Sequence, residues 1–185
     1  MNPLQIVCLG SSAGGLEALI AFFKRMQPKS GKAFVIIQHL QADQPTLAPD
    51  ILSRITTMPV GAAKDDEAVQ ADHVYTIPPN TQLTIVADRL HLAPRTETPG
   101  RHKPFDRFLE SLATNSRGQA TAVVLSGYDG DGSVGFIAIK AYGGTTYAQD
   151  WTALVDEMPK HAMATGCVDH VLDPGQIAEA ISKRH

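Results

Sequence analysis

The sequence predicts an α/β protein with a mostly parallel, doubly wound sheet, helices on both faces and a small antiparallel hairpin or meander inserted into it. Runs that are apolar on both faces, such as residues 33–37 and 122–125, indicate central parallel strands covered by helices. These runs alternate with segments of helical periodicity, which is the pattern of repeated strand–helix units. At 185 residues, 43% of them hydrophobic, the chain can form one domain, residues 1–185, with a substantial core.

The composition argues against several functional classes. A net charge of −3 gives no sign of the basic face that a general nucleic-acid binder needs, so no nucleic-acid partner is expected. The first apolar run is too short to span a bilayer and has no basic leader, which predicts a cytoplasmic protein without membrane insertion. Cys8 and Cys167 lie in apolar, strand-like runs and are expected to be buried, reduced thiols.

The first strand–turn–helix unit carries the strongest motif. An apolar run over residues 4–9 precedes Gly10-Ser11-Ser12-Ala13-Gly14-Gly15, and a helix with its apolar face at Leu16, Leu19, Ile20 and Phe23 follows. Residues 10–14 match G-x-S-x-G, which is typical of a nucleophile elbow with Ser12 at its apex. A glycine-rich connecting turn and a phosphate-binding helix N-terminus are the alternatives. The dinucleotide fingerprint and the P-loop ending are both absent.

The second predicted strand ends in a histidine. Residues 33–37 run into Gln38 and His39, which places His39 at the same edge of the sheet as Ser12. In open α/β sheets the carboxyl ends of the strands form the edge where ligands bind. Without Ser12, a histidine that caps a strand end would be the simpler interpretation.

The middle of the chain predicts less regular structure. A short helix is expected over residues 46–55, and strand-like pieces at 74–77, 83–86 and 90–92 predict the antiparallel meander. Asp65-Asp66-Glu67 is expected to be a solvated acidic turn, and residues 93–103 a surface loop. Pro104 then begins a helix with Phe105, Phe108, Leu109 and Leu112 on one face.

The last third returns to strand–helix alternation. The strand at 122–125 leads into Ser126-Gly127-Tyr128-Asp129-Gly130-Asp131-Gly132, and the next helix is predicted to turn Val134, Ile137, Ala138 and Ala141 inward. A strand at 145–149, a helix opened by Pro159 and a strand at 167–172 follow. Asp173 and Gln176 predict a capping box at the last helix.

Three predicted strand ends therefore bring Ser12, His39 and an aspartate, Asp131 or Asp129, to one edge. Histidine can take the serine proton near neutral pH, and a carboxylate orients the imidazole and stabilises the imidazolium. The chain order Ser, His, Asp differs from the α/β-hydrolase order.

The Asp129-Gly130-Asp131-Gly132 run does not match a calcium-binding loop, because that pattern needs Gly at its sixth position and Glu at its twelfth, where this chain has Val134 and Lys140. A solvated acidic turn remains an alternative for the two aspartates.

These motifs resemble the catalytic domain of the chemotaxis receptor protein-glutamate methylesterases, and they are closest to the esterase domains fused to receptor methyltransferases or sensor kinases. The matches follow the family's order over essentially the whole chain. They lie at residues 10–19, 37–39, 74–79, 124–132, 145–150, 158–159 and 166–169.

The resemblance implies a Ser12 nucleophile, a His39 base and an Asp131 orienting acid, with the backbone N–H groups of Ala13 and Tyr128 as oxyanion donors. It implies no cofactor and no metal. Three positions differ from the family's common pattern: this chain has Ala13 where the family has Thr, Tyr128 where it has Met, and Glu157 where it has Gly. The changes at 13 and 128 keep the backbone N–H donors. The larger side chain of Tyr128 is also expected to alter the pocket, and Glu157 to add a charge near its rim.

The implied reaction belongs to signal transduction in two-component systems. It is hydrolysis of glutamate methyl esters on a methyl-accepting chemoreceptor with release of methanol, and in some members deamidation of glutamine. A receptor methyltransferase or a sensor kinase is implied as a further partner. No receiver domain is expected, since the first strand begins within a few residues of Met1. The alternatives from other classes are a non-catalytic signalling module and a small-molecule carboxylesterase.

Overall fold

The computed structural model describes residues 4–39, 46–95, 102–116 and 118–184. Within these ranges the main sheet has seven strands. From one edge to the other they are β10 (His170–Leu172), β9 (Thr145–Gln149), β8 (Ala120–Val124), β1 (Gln5–Ser11), β2 (Lys32–Gln38), β5 (Val74–Thr76) and β3 (Val60–Ala62). All neighbouring pairs are parallel, which confirms the predicted sheet.

The strand order reverses at β1. On one side of β1 the chain forms β2, then the edge strand β3, and then β5, which lies between those two; on the other side it later adds β8, β9 and β10 outward in that order. This is the topological switch point of a doubly wound sheet, where a crevice opens beyond the carboxyl ends of the strands. The residues that follow β1 and β8 therefore face each other across that crevice.

Helices cover both faces of the main sheet, as predicted. They are α1 (Gly15–Arg25), α2 (Ala48–Leu52), α3 (Pro104–Asn115), α4 (Ser133–Ala141), α5 (Glu157–Ala164) and α6 (Pro174–Ser182). Helices α1, α2 and α6 pack in one apolar cluster with Val7 and Leu9, and α3, α4 and α5 pack in the other with Ile6 and Cys8. The alternation along β1 follows from the two-residue period of a strand.

A second, antiparallel sheet holds β4 (Glu67–Ala68), β7 (Arg89–Pro94) and β6 (Thr81–Val86) in that order. It packs on α3 through Leu83, Ile85 and Leu90. The meander was predicted to include residues 74–77, and this is wrong: β5 is paired in parallel with β2 and β3 in the main sheet. The strand is buried throughout, and a three-residue strand covered on both faces has no alternation that would distinguish it from a hairpin arm.

Two further expectations about side chains are wrong. Helix α4 buries Gly135, Phe136 and Ile139, while Val134 and Ile137 are exposed. The prediction failed because Gly135 packs directly against Leu109 of α3, a contact that apolar periodicity does not register. Cys167 precedes β10 and is half-buried, because the strand begins only at His170.

Other expectations are confirmed. Asp173 and Gln176 form the capping box of α6, α3 begins at Pro104, and both cysteines are free thiols. Burial, and secondarily the charge of Asp131, raise the pKa of the Cys8 thiol well above its ordinary value. None of the helices in the described ranges has the length and apolarity needed to cross a bilayer. Most of the predicted 93–103 loop lies outside the described residues.

Candidate active site

Ser12 lies in a tight turn between β1 and α1. Its backbone N–H donates to the carbonyl of Ser126 at 2.9 Å, and its carbonyl accepts from the N–H of Gly15 at 3.0 Å. Gly14 has φ +72, and a Cβ there would lie 2.6 Å from Oγ of Ser126. The small residues of the motif are therefore required by a left-handed backbone and by close approach of the neighbouring strand end.

Ser126 joins three loops at the crevice. Its hydroxyl donates to the Ala13 carbonyl at 2.7 Å and accepts from the N–H of Val155 at 2.9 Å. Its own N–H donates to Oε1 of Gln149 at 2.9 Å. This fully buried serine was not singled out from the sequence, although its place directly after a buried strand could have indicated it.

His39 follows β2 and is held beside the turn by its backbone, whose N–H donates to the Ser11 carbonyl at 3.0 Å. Its Nε2 atom lies 2.6 Å from Oδ2 of Asp131. A carboxylate only accepts hydrogen bonds, so this contact puts the ring proton on Nε2 and leaves a lone pair on Nδ1. Within the described residues the Ser12 hydroxyl has no hydrogen-bond partner.

The Asp131 carboxylate is buried and satisfied mainly by the start of α3. Oδ2 accepts from the N–H of Phe105 at 3.0 Å, and Oδ1 accepts from the N–H of Asp106 at 2.8 Å. Lys103, the N-cap residue of α3, supplies no side-chain cap, so Asp131 takes that role from another segment. The helix N-terminus favours a negative charge at this position.

Asp106 makes the reciprocal contact. Its Oδ1 accepts from the N–H of Gly135 in the first turn of α4 at 2.8 Å. Burial raises the pKa of Asp106 from its ordinary value of 3.8 to about 6; the Gly135 hydrogen bond opposes that shift, and the charge of Asp131 adds to it. This residue was not predicted from the sequence, for which an acidic side chain in the first turn of a helix was the available signal.

The net electrostatic effect on His39 favours its charged form. Burial, the largest influence, lowers its pKa, but the hydrogen bond and charge of Asp131 and then the charge of Asp129 outweigh it. Lys103 acts in the opposite direction, and the net result is a raised pKa. A histidine that is readily protonated is suited to accept a proton from a hydroxyl.

The backbone N–H groups of Ala13 and Tyr128, which lie at the crevice, have no acceptor among the described residues. The neighbouring N–H of Gly127 donates to Val155 instead, at 2.9 Å. Tyr128 is 56% exposed, so its side chain stands at the rim of the crevice. No cluster of three or more His, Cys, Asp or Glu side chains suited to a metal occurs within the described ranges.

The fold and the site define a class: a doubly wound α/β domain with a serine turn, a histidine and a buried aspartate at its switch point. The chain belongs to the CheB methylesterase family, whose model matches residues 7–181.

Among its relatives is protein-glutamate methylesterase/protein-glutamine glutaminase 2 of Shewanella oneidensis, 31% identical over 182 residues, or 96% of this chain and 52% of that protein. Protein-glutamate methylesterase/protein-glutamine glutaminase 1 of Myxococcus xanthus is 31% identical over 186 residues, or 98% of this chain and 54% of that protein. The chain thus spans about half the length of these relatives.

A solved structure extends the similarity to three dimensions. The Thermotoga maritima CheB methylesterase catalytic domain superposes with a TM-score of 0.88 at 27% identity, covering 97% of this chain and 98% of that domain. This agreement confirms the predicted fold class and the family resemblance.

Proposed function

We propose that this domain is a serine hydrolase that converts glutamate methyl esters on a chemoreceptor-type protein to glutamate, with release of methanol. The observation that carries the proposal is the 2.6 Å contact between His39 Nε2 and Asp131 Oδ2, next to the Ser12 turn. Membership of the CheB methylesterase family supports the choice of substrate class.

In the proposed acylation step, Ser12 Oγ attacks the ester carbonyl carbon and its proton passes to Nδ1 of His39. Nδ1 is the acceptor because Nε2 already donates to Asp131. The Asp131 carboxylate stabilises the resulting imidazolium and keeps the ring from rotating. The close contact of a serine hydroxyl and Nδ1 forms when substrate binds, as is usual for such hydrogen bonds.

The tetrahedral intermediate carries a negative charge on the former carbonyl oxygen. The N–H groups of Ala13 and Tyr128 are proposed to bind it, and their lack of other acceptors within the described residues supports this. The C–O bond to the methoxy group then breaks, and Nδ1 returns the proton so that methanol leaves.

Deacylation repeats the sequence with water. His39 takes a proton from water, the hydroxide attacks the acyl carbon, and Ser12 leaves with the proton. A glutamine side chain can enter the same route with ammonia as the leaving group, which accounts for a glutaminase activity of the kind named for the relatives. We place the activity in the cytoplasm, with a receptor methyltransferase or sensor kinase as a further partner.

The direct test uses a chemoreceptor signalling fragment methylated with a radiolabelled methyl donor. Purified protein should release volatile radioactive methanol, and p-nitrophenyl acetate should be hydrolysed far less efficiently. His39→Gln should lose both activities while remaining folded by circular dichroism.

Two outcomes contradict the proposal. Efficient hydrolysis of the small ester together with an untouched receptor would make the protein a small-molecule carboxylesterase. If the protein catalyses neither reaction but still binds the receptor or the kinase, it is a non-catalytic signalling module.

A further inference from the structure

The imidazole of His39 has a carboxylate near each of its two nitrogens. Asp131 Oδ2 lies 2.6 Å from Nε2, and Asp129 Oδ2 lies 3.8 Å from Nδ1. Both carboxylates belong to one turn, Asp129-Gly130-Asp131. The contact at Nδ1 is too long for a hydrogen bond but well within the range of a direct charge interaction.

Asp129 is fixed in this position although its side chain is 51% exposed. Its Oδ1 accepts from the N–H of Asp131 at 2.6 Å, which leaves Oδ2 to face the ring. Its backbone N–H lies 3.4 Å from Oε2 of Glu157. The residue has φ +68, a left-handed conformation that Asp and Asn tolerate better than most other side chains.

We propose that Asp129 is a second carboxylate that increases the basicity of His39 Nδ1, the atom that takes the serine proton. The inference rests on the proposed function. Asp129 acts through His39 and is therefore a positioning residue rather than a catalytic one.

The effect of Asp129 depends on when the positive charge appears on the ring. While His39 is neutral, the Asp129 carboxylate faces a lone pair and gains nothing. Once Nδ1 has taken the proton, the same carboxylate faces a positive charge. The interaction is therefore stronger in the transition state than in the ground state, which is the condition for faster chemistry.

The other charged groups near the ring do not supply this effect at Nδ1. Asp131 is bonded to the opposite nitrogen, and Lys103 disfavours the imidazolium. His102 lies with its ring centroid 5.9 Å from that of His39, and its pKa is lowered mainly by burial, so it is uncharged near neutral pH. The raised pKa of His39, to which Asp129 contributes, agrees with the geometry.

Asp129→Asn separates charge from structure. Asn keeps an oxygen for the Asp131 N–H and tolerates the left-handed backbone, so only the negative charge is removed. Asp72→Asn is the matched control, because Asp72 has φ +58 and its Oδ1 accepts from the N–H of Gly31 at 2.8 Å. Asp72 precedes β5, and its N–H donates to the carbonyl of Lys32, at the end of the sheet away from His39.

The primary experiment is an NMR titration of the histidine rings in the intact protein, with the His39 signal assigned by its loss in His39→Gln. Asp129→Asn should lower the His39 pKa by about half a unit to one unit. High salt should shrink that difference, because the pair is partly exposed. Asp72→Asn should leave the His39 pKa unchanged.

The second readout is the pH dependence of Ser12 phosphonylation by a fluorophosphonate. Its acid limb should move to lower pH in Asp129→Asn by the same amount as the NMR pKa, because His39 must be neutral to act as base. An unchanged His39 pKa in Asp129→Asn, or an equal shift in Asp72→Asn, would overturn the inference. The titration needs no turnover, so failure of the wild-type protein to react with the probe would count against the proposed function alone.

Discussion

Asp131 caps α3, the helix that contains Asp106, and Asp106 in turn caps α4, the helix that follows Asp131. Asp131, two residues before the start of α4, accepts from the N–H groups of Phe105 and Asp106 in α3, and Asp106 accepts from the N–H of Gly135 in α4. The carboxylate that meets His39 is thus positioned by the packing of two helices. Its location does not depend on the Asp129–Gly132 turn alone.

Asp131→Asn should lower turnover by a factor on the order of 10⁴, because an amide favours the wrong histidine tautomer. Both carboxylate oxygens accept backbone N–H groups, so one of them would face an amide NH₂ in the variant. The free energy of unfolding should therefore also fall, by about 1–3 kcal/mol. Methanol release and urea denaturation measure the two effects, with circular dichroism to confirm folding. Near-normal methanol release by Asp131→Asn, together with loss of methanol release in Asp129→Asn, would contradict the assignment of Asp131 as the residue that orients His39.

Ser11→Ala and Ser12→Ala should behave in opposite ways. Ser12→Ala should reduce methanol release by a factor on the order of 10⁶ without loss of stability. Ser11 is fully buried, and its hydroxyl has no partner in the described part of the chain, so Ser11→Ala should keep most activity. Removal of an unsatisfied hydroxyl should leave the unfolding free energy unchanged or raise it by about 1 kcal/mol. Equal losses of activity in the two variants would refute the choice of Ser12.

Gly127→Ala should disable the site by displacing its backbone. A Cβ at this position would overlap with Sδ of Met158 and lie 2.8 Å from Cβ and 3.0 Å from N of Ser12. We expect a loss of about 1–3 kcal/mol in stability and a larger relative loss in phosphonylation rate. Gly61→Ala is the control, since nothing lies within 4 Å of a Cβ there. Normal phosphonylation of Gly127→Ala would show that the Ser12 turn does not depend on this contact.

Asp106 should make a specific contribution to the pH dependence of stability. Its pKa is about 6 in the folded protein and 3.8 ordinarily, so between these values the folded state binds more protons than the unfolded state. Stability from this group therefore falls as pH rises through that window. The unfolding free energy of Asp106→Asn minus that of wild type should increase from pH 4 to about pH 6 and be flat above it. Denaturation at several pH values measures this, and a flat difference throughout would contradict the raised pKa.

The sequence was sufficient for the α/β class and for the placement of Ser12, His39 and Asp131 at one edge of the sheet. These depend on apolar runs that end in polar residues, a signal that local sequence carries. The contacts that hold the edge together were not predictable, because Ser126 and Asp106 act across loops far apart in the chain. Strand β5 and the inner face of α4 were mispredicted for a related reason, since parallel pairing and a packed glycine leave no periodic trace.

Reaction with a fluorophosphonate, followed by mass spectrometry of the intact protein, tests most directly whether Ser12 is a nucleophile activated by His39. Attack of Ser12 Oγ on phosphorus with loss of fluoride should add one phosphonyl group per chain in wild type and in Ser11→Ala. Ser12→Ala should remain unlabelled, and His39→Gln should react at least about a hundredfold more slowly, in line with the usual contribution of a general base. An unlabelled wild-type protein, or an adduct that persists in Ser12→Ala, would contradict the assignment of Ser12 as an activated nucleophile.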